Sequence, residues 1–304
     1  MFPIRKYVLH SCCALLALAL VAPLNARAVS AEVAPQLHID GYPKKVDYRS
    51  PVVITGHVGG REAGLEVALQ RRYAHHDSWL KIDSAMTNRD GEVRFRRDAV
   101  RFTGRYRLRA DGATSEVVTI RVRPKLNLRV KRSKVMEGTR IAIVGRMRPA
   151  ISGRRAKLAW KIDGEWRRID TVRLGDGDFR KEIRVERHGR RRLRVVFERD
   201  SHNTAAWAYD LVHVHRKSPA TWYGPGFFGN RTACGRRYTR DLLGVAHRSL
   251  PCGTMVSALY KGRSVRVPVV DRGPYGHAEW DLTEETAQRL NFSGRQTIGV
   301  LVQR

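Results

Sequence analysis

Residues 36–215 contain an internal repeat in which apolar and charged residues alternate. Segments of the first copy correspond to segments of the second at an offset of 85 to 89 residues, as Val52–Gly56 does to Ile141–Gly145. The alternation is clearest in runs such as Glu92–Arg96. Because successive side chains of a strand point to opposite faces, this pattern is typical of strands with one buried and one solvated face. The repeat therefore predicts two β domains of similar length in tandem.

Short alternating runs separated by Gly, Asp and Asn predict the architecture of each copy. About seven short strands per copy are typical of an immunoglobulin-like β-sandwich. We expect one sandwich over residues 34–123 and a second over residues 124–216, with linkers at Arg123–Pro124 and at residues 215–219. Neither copy contains a cysteine. Each core must therefore rest on apolar burial, which a domain of about 100 residues can supply.

The N-terminus has the features of a secretory signal peptide. Two basic residues precede an apolar run at residues 12–21, and Ala26–Ala28 supplies a small-residue cleavage site. This arrangement predicts a signal peptide over residues 1–28. The apolar run is shorter than the roughly 20 residues that a membrane-spanning helix needs. The cysteines at positions 12–13 precede the apolar core, so they do not form a lipoprotein cleavage site. We expect an exported mature chain, extracellular, cell-wall associated or periplasmic, with neither a lipid anchor nor a transmembrane segment.

The last third of the chain holds five short motifs in a fixed order within about 60 residues. They are Trp222–Gly226, Arg231–Gly235, Ala246–Thr254, Val269–Pro274 and Trp280–Thr283. The series resembles the double-psi β-barrel of the rare lipoprotein A (RlpA) family, which includes septal lytic transglycosylases of bacterial peptidoglycan. It is also similar to the catalytic domains of expansins and of membrane-bound lytic transglycosylase A. The resemblance implies a six-stranded double-psi β-barrel with one short helix over residues 219–304, and so an all-β chain.

Local patterns place the elements of this barrel. Met255–Tyr260 and Arg263–Val270 read as strands joined by a tight turn. The segment Glu284–Asn291 is predicted as the single helix, with Thr283 as its N-cap. Asp281 lies just ahead of the helix start, where the positive end of the helix dipole favours an ionised carboxylate.

The chemistry that the resemblance implies requires a carboxyl group. Cleaving a glycosidic bond requires protonation of the leaving oxygen while positive charge develops on the sugar. In a lytic transglycosylase the muramyl C6 hydroxyl attacks within the same sugar, so one carboxyl acting as acid and then as base can suffice. Asp271 is our candidate for that residue, Asp281 for substrate holding or charge stabilisation, and His247 for orienting a carboxylate or binding the sugar. The alternative for Asp271 is a turn carboxylate that bonds local backbone N–H groups.

Aromatic and basic residues around these positions are candidates for binding the substrate. They are Trp222, Tyr223, Arg272 and Tyr275. Some aromatic residues of the barrel could instead belong to its core, and one of the neighbours Trp222 and Tyr223 should face inward. No cofactor or metal site is expected, because His213 and His215 lack further ligands nearby.

The sequence departs from the lytic pattern at one position. Lytic members of the family carry an acidic residue directly after the glycine that matches Gly235, whereas this chain has Arg236. A guanidinium cannot exchange the catalytic proton at neutral pH. The nearest acid, Asp241, follows five residues later. Two interpretations stay open: a peptidoglycan lytic transglycosylase, which is a lyase, or a non-catalytic expansin-like module that binds peptidoglycan or another polysaccharide.

The net charge of +29 constrains the partners. The segment 219–304 contributes +6 and residues 29–218 contribute +20. Export opposes a nucleic-acid partner, so peptidoglycan carboxylates, anionic wall polymers or anionic lipid head groups are the expected counter-charges of the repeats. The alternatives are that the arginines protect edge strands from pairing, or that the repeats are spacers.

Two cysteines are left after removal of the signal peptide, Cys234 and Cys252. An even pair in an exported protein predicts a disulfide, and two buried free thiols are the alternative. Closing a loop of this length stabilises the fold by about 3 kcal/mol in the chain-entropy model.

Overall fold

The computed structural model describes residues 35–60, 62–74 and 76–303. The predicted signal peptide at residues 1–28 therefore lies outside the described residues. The described chain consists of 22 strands and one helix, which confirms the predicted all-β class. Within the described residues no helix is both long and apolar enough to cross a bilayer.

The first repeat folds into two sheets around one core. The three-stranded sheet has the order β1-β3-β6, and the other has the order β2-β9-β7-β4-β5 with β8 paired to β7. Inward residues of both sheets, such as Ile54 and Leu108, are fully buried and belong to one apolar cluster. The strands are β1 (Leu37–Gly41), β2 (Lys45–Asp47), β3 (Val52–Val58), β4 (Glu66–Arg72), β5 (Leu80–Met86), β6 (Glu92–Arg97), β7 (Gly104–Ala110), β8 (Ala113–Thr114) and β9 (Val118–Arg123).

The second repeat has the same strand order as the first. Its sheets run β10-β12-β15 and β11-β17-β16-β13-β14, and they enclose a second apolar cluster that includes Ile143 and Leu193. The immunoglobulin-like assignment and the exact domain bounds stay predictions. The strands are β10 (Lys125–Val130), β11 (Lys134–Met136), β12 (Thr139–Arg148), β13 (Arg155–Ile162), β14 (Glu165–Arg173), β15 (Asp178–Val185), β16 (Gly189–Phe197) and β17 (Ala206–Tyr223).

A loop of the second repeat is hydrogen-bonded to the first repeat. The Thr204 N–H donates to the Val122 carbonyl at 3.0 Å. The buried Asn203 amide donates to the carbonyls of Arg101 (3.1 Å) and Val122 (3.3 Å). Its oxygen accepts a hydrogen bond from the buried Arg154 guanidinium at 2.8 Å. These bonds hold the two repeats together beyond the one-residue link at Pro124.

Strand β17 continues without a break from the second repeat into the barrel. It pairs with β16 as far as Gly189↔Val214, and with β22 from Arg216↔Val300 onward. The expectation of a linker at residues 215–219 is therefore wrong. Pro219, which suggested a break, is accommodated in the strand although it has no N–H to donate.

The barrel closes from six strands in the order β17-β21-β18-β20-β19-β22, with β22 pairing back to β17. This closure confirms the predicted six-stranded barrel. Its core includes the fully buried Trp280 and Val267. The elements are β18 (Val245–Ala246), β19 (Met255–Tyr260), β20 (Arg263–Asp271), β21 (Trp280–Thr283), α1 (Glu284–Leu290) and β22 (Gln296–Val302).

The single helix lies where it was predicted, but its start is held differently. Thr283 occupies the N-cap position and makes no side-chain cap bond. Its hydroxyl instead donates to the Gly244 carbonyl and accepts from the Gly244 N–H, both at 3.1 Å. A Cβ at Gly244 would lie 2.3 Å from a methyl group of Val270, so only glycine fits this close approach. The helix ends at Leu290, followed by Asn291 in the left-handed conformation.

Candidate functional site

A row of register partners crosses four adjacent strands of the barrel wall. Thr221 on β17 pairs with Asp281 on β21, which pairs with Ala246 on β18, which pairs with Asp271 on β20. Register partners on neighbouring strands direct their side chains to the same face, and neighbouring strands lie about 4.8 Å apart. The Cα atoms of Asp271 and Asp281 are therefore separated by about 10 Å. The row brings both predicted carboxylates to one face of the wall.

Asp271 ends β20 and accepts hydrogen bonds from three groups. Its Oδ1 accepts the N–H groups of Arg272 and of Ala233, each at 2.8 Å. Its Oδ2 accepts the Tyr223 hydroxyl at 3.4 Å. The hydrogen bond from the Arg272 N–H is the local contact of a turn carboxylate, which was the alternative interpretation of Asp271. The hydrogen bond from the Ala233 N–H, however, comes from a residue 38 positions away in sequence. Asp271 is therefore positioned by the tertiary fold as well as by its own turn.

Tyr223 presents its hydroxyl to Asp271 from β17. Burial raises the pKa of this phenol above its ordinary value, and the negative charge of Asp271 adds to the shift. The hydroxyl is consequently a stable hydrogen-bond donor. Tyr238, which the sequence did not single out, donates its hydroxyl to the Tyr223 carbonyl at 2.6 Å and accepts the Glu284 N–H at 3.1 Å.

Asp281 is half-buried in the wall and hydrogen-bonded by its strand neighbour. The Thr221 hydroxyl donates to its Oδ1 at 2.8 Å. Burial raises the pKa of Asp281 to about 6; the Asp271 charge adds to this and the Thr221 bond opposes it. With a pKa of about 6 the carboxylate is mostly ionised at neutral pH, as expected from the sequence, although burial in the barrel wall raises its pKa above the ordinary value.

His247 approaches Asp271 through its backbone and not through its ring. Its N–H donates to the Asp271 carbonyl at 3.2 Å. The imidazole Nδ1 accepts the N–H groups of Ser249 (3.2 Å) and Leu250 (3.1 Å), and the ring packs on Trp280 with 4.4 Å between centroids. Within the described residues the imidazole forms neither a hydrogen bond nor an ion pair with Asp271 or Asp281.

The carboxylate that faces His247 is Glu279, a residue that the sequence analysis missed. His247 Nε2 lies 3.9 Å from Glu279 Oε1. Glu279 also accepts hydrogen bonds from the Arg216 guanidinium and, at 2.5 Å, from the Ser218 hydroxyl. Burial acts to raise the pKa of Glu279, but the bonds from Arg216 and Ser218 outweigh it and leave the pKa below its ordinary value. Burial lowers the pKa of His247, and the Glu279 charge partly opposes that shift.

The predicted substrate-binding residues do not all share the face of the two carboxylates. Tyr223 lies on it, whereas its strand neighbour Trp222 points to the other side and is 37% exposed. Tyr275 is 82% exposed. The Arg272 side chain donates to the Leu250 carbonyl at 3.0 Å, which ties it to the backbone of the segment after His247.

The predicted disulfide between Cys234 and Cys252 is confirmed, with 5.7 Å between the Cα atoms. It joins the turn that supplies the Ala233 N–H for Asp271 to the loop that follows His247. The same turn carries Arg236, whose N–H donates to the Thr232 hydroxyl at 3.1 Å. The Arg236 side chain is exposed, and no carboxylate of the described residues lies within ion-pair distance of it.

The barrel matches a known family. Residues 216–302 match the family model described as lytic transglycolase. A Synechocystis sp. protein named as a probable endolytic peptidoglycan transglycosylase RlpA is 53% identical over 76 residues, which is 24% of this chain and 24% of that protein. The endolytic peptidoglycan transglycosylase RlpA of Campylobacter jejuni is 38% identical over 84 residues, 27% of this chain and 30% of that protein.

A similar match is found with the endolytic peptidoglycan transglycosylase RlpA of Neisseria meningitidis serogroup A, at 37% identity over 87 residues, 28% of this chain and 36% of that protein. The chain thus spans about a quarter to a third of the length of these curated relatives. All three matches are of about the length of the barrel, and the family model lies on it. Residues 216–302 of this chain are therefore an RlpA-like double-psi β-barrel domain.

Proposed function

We propose that this protein is an exported lytic transglycosylase that cleaves the glycan strands of peptidoglycan and leaves 1,6-anhydromuramyl ends. The observation that carries the proposal is the pair Asp271 and Asp281, which face the same side of the wall across Ala246. The family match of the barrel and the names of its relatives support the same activity.

In the proposed reaction Asp271 acts first as acid and then as base. Its carboxyl group donates a proton to the glycosidic oxygen as the bond to the muramyl C1 breaks. The muramyl C6 hydroxyl then attacks C1 and forms the anhydro bridge, and its proton passes to the Asp271 carboxylate. The proton count is balanced, and no water is consumed. The Ala233 and Arg272 N–H groups and the Tyr223 hydroxyl hold the carboxylate in place during both steps.

Asp281 stabilises the positive charge that develops on the sugar. Its ionised form places a negative charge on the face that carries Asp271, where partial burial strengthens electrostatic interactions. Because burial raises the pKa of Asp281 to about 6, this charge is present at neutral pH and is lost under mildly acidic conditions. Asp281 thereby makes the proposed activity sensitive to pH near that value.

A second candidate function rests on Arg236. Where the resemblance implies an acid, this chain has an exposed guanidinium, and Asp241 is exposed and hydrogen-bonded to Thr239. A barrel of this kind that keeps its binding face but does not cleave would be an expansin-like peptidoglycan-binding module. The presence of Asp281 favours the catalytic function, because it gives Asp271 a second carboxyl group on the same face of the barrel wall.

The proposed location and partners follow from the N-terminus and the charge. We place the mature chain in the cell wall or the periplasmic space, with the two basic repeats in contact with anionic wall polymers or anionic lipid head groups. Fluorescent labelling of the intact protein in cells tests the location.

Digestion of purified sacculi tests the activity. The whole mature chain should release soluble fragments whose masses show anhydromuramyl ends, and the Asp271→Asn chain should release none. A wild-type chain that sediments with sacculi but yields no anhydro ends would establish the binding module instead.

A further inference from the structure

The outward face of one sheet in the second repeat carries exposed apolar side chains. Trp207, Tyr209 and Leu211 alternate along β17 and are 56%, 48% and 41% exposed. Because every second residue of a strand points to the same side, the three side chains lie in one row. Neighbouring large apolar groups exposed on a sheet face are a sign of a binding surface.

Arginines of β16 lie directly beside this row. Arg194 pairs with Tyr209, and Arg192 pairs with Leu211. The Arg194 guanidinium stacks 4.2 Å from the centroid of the Trp166 ring, and that ring lies 5.6 Å from Tyr209. The row and its neighbours form what we call the aromatic–basic face. Its residues are Trp166, Arg190, Arg192, Arg194, Trp207, Tyr209 and Leu211.

The positive charge of this face is not neutralised by the protein. No carboxylate of the described residues forms an ion pair with Arg190, Arg192 or Arg194. The buried Nε of Arg194 has no hydrogen-bond partner in the described part of the chain. Burial lowers the pKa of His213, which continues the row, and the charges of Arg190 and Lys134 lower it further. The exposed guanidinium groups of Arg190 and Arg192 therefore present cations that an anion from outside can reach.

The first repeat carries a related arrangement on the equivalent sheet. The Arg107 and Arg72 guanidinium groups lie 4.3 Å and 4.9 Å from the centroid of the Trp79 ring. Burial lowers the pKa of Arg107, and the charges of Arg109 and Arg72 add to this shift. Stacked tryptophan and unneutralised arginine thus recur in both copies.

We propose that the aromatic–basic face binds the glycan strand of uncut peptidoglycan, at a surface separate from the carboxylate site of the barrel. Aromatic rings present flat apolar faces on which sugar rings can stack. Arginine forms bidentate hydrogen bonds with carboxylates, which the muramyl residues carry wherever no peptide is linked to the lactyl group. The aromatic side chains lie among the arginines within a sheet and do not project from a loop, which favours a linear polymer over a membrane surface. The choice of glycan rests on the proposed function.

Strand β17 fixes the distance between this surface and the barrel site. Tyr209 and Tyr223 belong to the same strand, 14 residues apart. At about 3.3 Å per residue their separation is at most about 46 Å. One long glycan strand could therefore occupy both places, and simultaneous binding strengthens the attachment of each. We expect long strands to bind more tightly than short fragments.

Binding of peptide-free glycan strands to the full mature chain tests the proposal. All variants carry Asp271→Asn so that the strands are not cut. The first variant adds Trp207→Ser and Tyr209→Ser, and the second adds Arg190→Ser and Arg192→Ser. Each should raise the Kd for the glycan about tenfold, as expected when a stacked or bidentate contact is lost. Reducing the carboxyl groups of the glycan should weaken its binding to the unaltered face by a similar factor.

Matched controls separate this face from general charge. Arg129→Ser with Arg140→Ser removes two exposed cations from the opposite sheet and should leave the Kd unchanged. Tyr209→Phe keeps the ring and should bind like the parent, and thermal melting of each variant reports folding. Equal weakening by the control pair, or full affinity for carboxyl-reduced glycan, would overturn the proposal. The proposal would also be overturned if the chain bound phosphatidylglycerol vesicles more tightly than the glycan and if this binding were weakened by the Trp207 and Tyr209 substitutions. If the wild-type chain binds glycan at this face but does not cleave it, only the proposed activity would be refuted.

Discussion

Asp271 and Asp281 face the same side of the barrel wall from two strands that are separated by a single strand. Their surroundings differ. Asp271 accepts two backbone N–H groups and a phenol, whereas the half-buried Asp281 accepts one threonine hydroxyl. Two carboxyl groups in unequal environments can take unequal roles in proton transfer and charge stabilisation.

Asp271→Asn should abolish release of anhydro-ended fragments. The amide oxygen can still accept the Ala233 and Arg272 N–H groups, so the fold should persist, but the transferable proton is gone. General acid–base catalysis contributes typically 10²–10⁴-fold, and we expect a loss of about this size. Mass analysis of digested sacculi measures it, and an unchanged melting curve serves as the control. Residual activity close to that of the wild type would remove Asp271 from the reaction.

The rate of cleavage should fall as the pH drops through about 6, because protonation of Asp281 removes the charge that stabilises the sugar. Asp281→Asn should cleave more slowly than the wild type at pH 7.5 and should lose this pH dependence. Initial rates of cleavage by the wild type and by Asp281→Asn between pH 5 and 8 test this prediction. An identical pH profile in the variant would show that another group titrates.

Asp281→Asn should also stabilise the fold at neutral pH. The pKa of Asp281 lies at about 6 in the folded chain, above its ordinary value of 3.8. The contribution of Asp281 to the free energy of unfolding is therefore fully present below pH 3.8, and it is lost as the pH rises through 6. Above pH 6 the wild type carries the cost of a half-buried charge, about 1–3 kcal/mol, which asparagine avoids. Denaturant unfolding should show an advantage of the variant at pH 7.5 that shrinks towards pH 4, and a constant difference would contradict this explanation.

Reduction of the Cys234–Cys252 disulfide should lower the free energy of unfolding by about 3 kcal/mol. Activity should fall as well, because the turn that carries the Ala233 N–H loses its tether to the segment after His247. Unfolding and cleavage with and without reductant measure the two effects. The Cys234→Ser, Cys252→Ser chain should not respond to reductant at all.

Arg236→Glu should raise the activity of a weak enzyme, since it restores the acid that the lytic pattern implies at this position. The backbone bonds of residue 236 to Thr232 do not depend on its side chain. Arg237→Glu makes the same change of charge one residue away and is the matched control. Equal gains in both variants would mean that reduced positive charge, and not the restored acid, is responsible.

Local periodicity was sufficient to predict that both repeats consist of strands, because a sheet with one buried face has an apolar residue at every second position. It did not give the number of strands, since we expected about seven per copy and the structure has nine in the first repeat and eight in the second. The barrel was predicted from the order of its motifs and the family resemblance. The disulfide was predictable because only two cysteines follow the predicted signal peptide. Glu279 was not, since its partner Arg216 is 63 residues away and neither stands out in its own segment. Likewise Lys217, Ser218 and Pro219 read as a linker, and only their pairing with β22 makes them part of a strand.

The continuity of β17 has a mechanical consequence. Pulling on the repeats would load the main chain of this strand, which is hydrogen-bonded to β22 and β21 inside the barrel. The load would act along the strand and shear many of these hydrogen bonds at once, because residues 215–219 belong to the strand and do not form a flexible linker that could take up the extension. A protein attached to a stretched cell wall through its repeats would thus feel the tension of the wall directly in the strand that carries Thr221 and Tyr223.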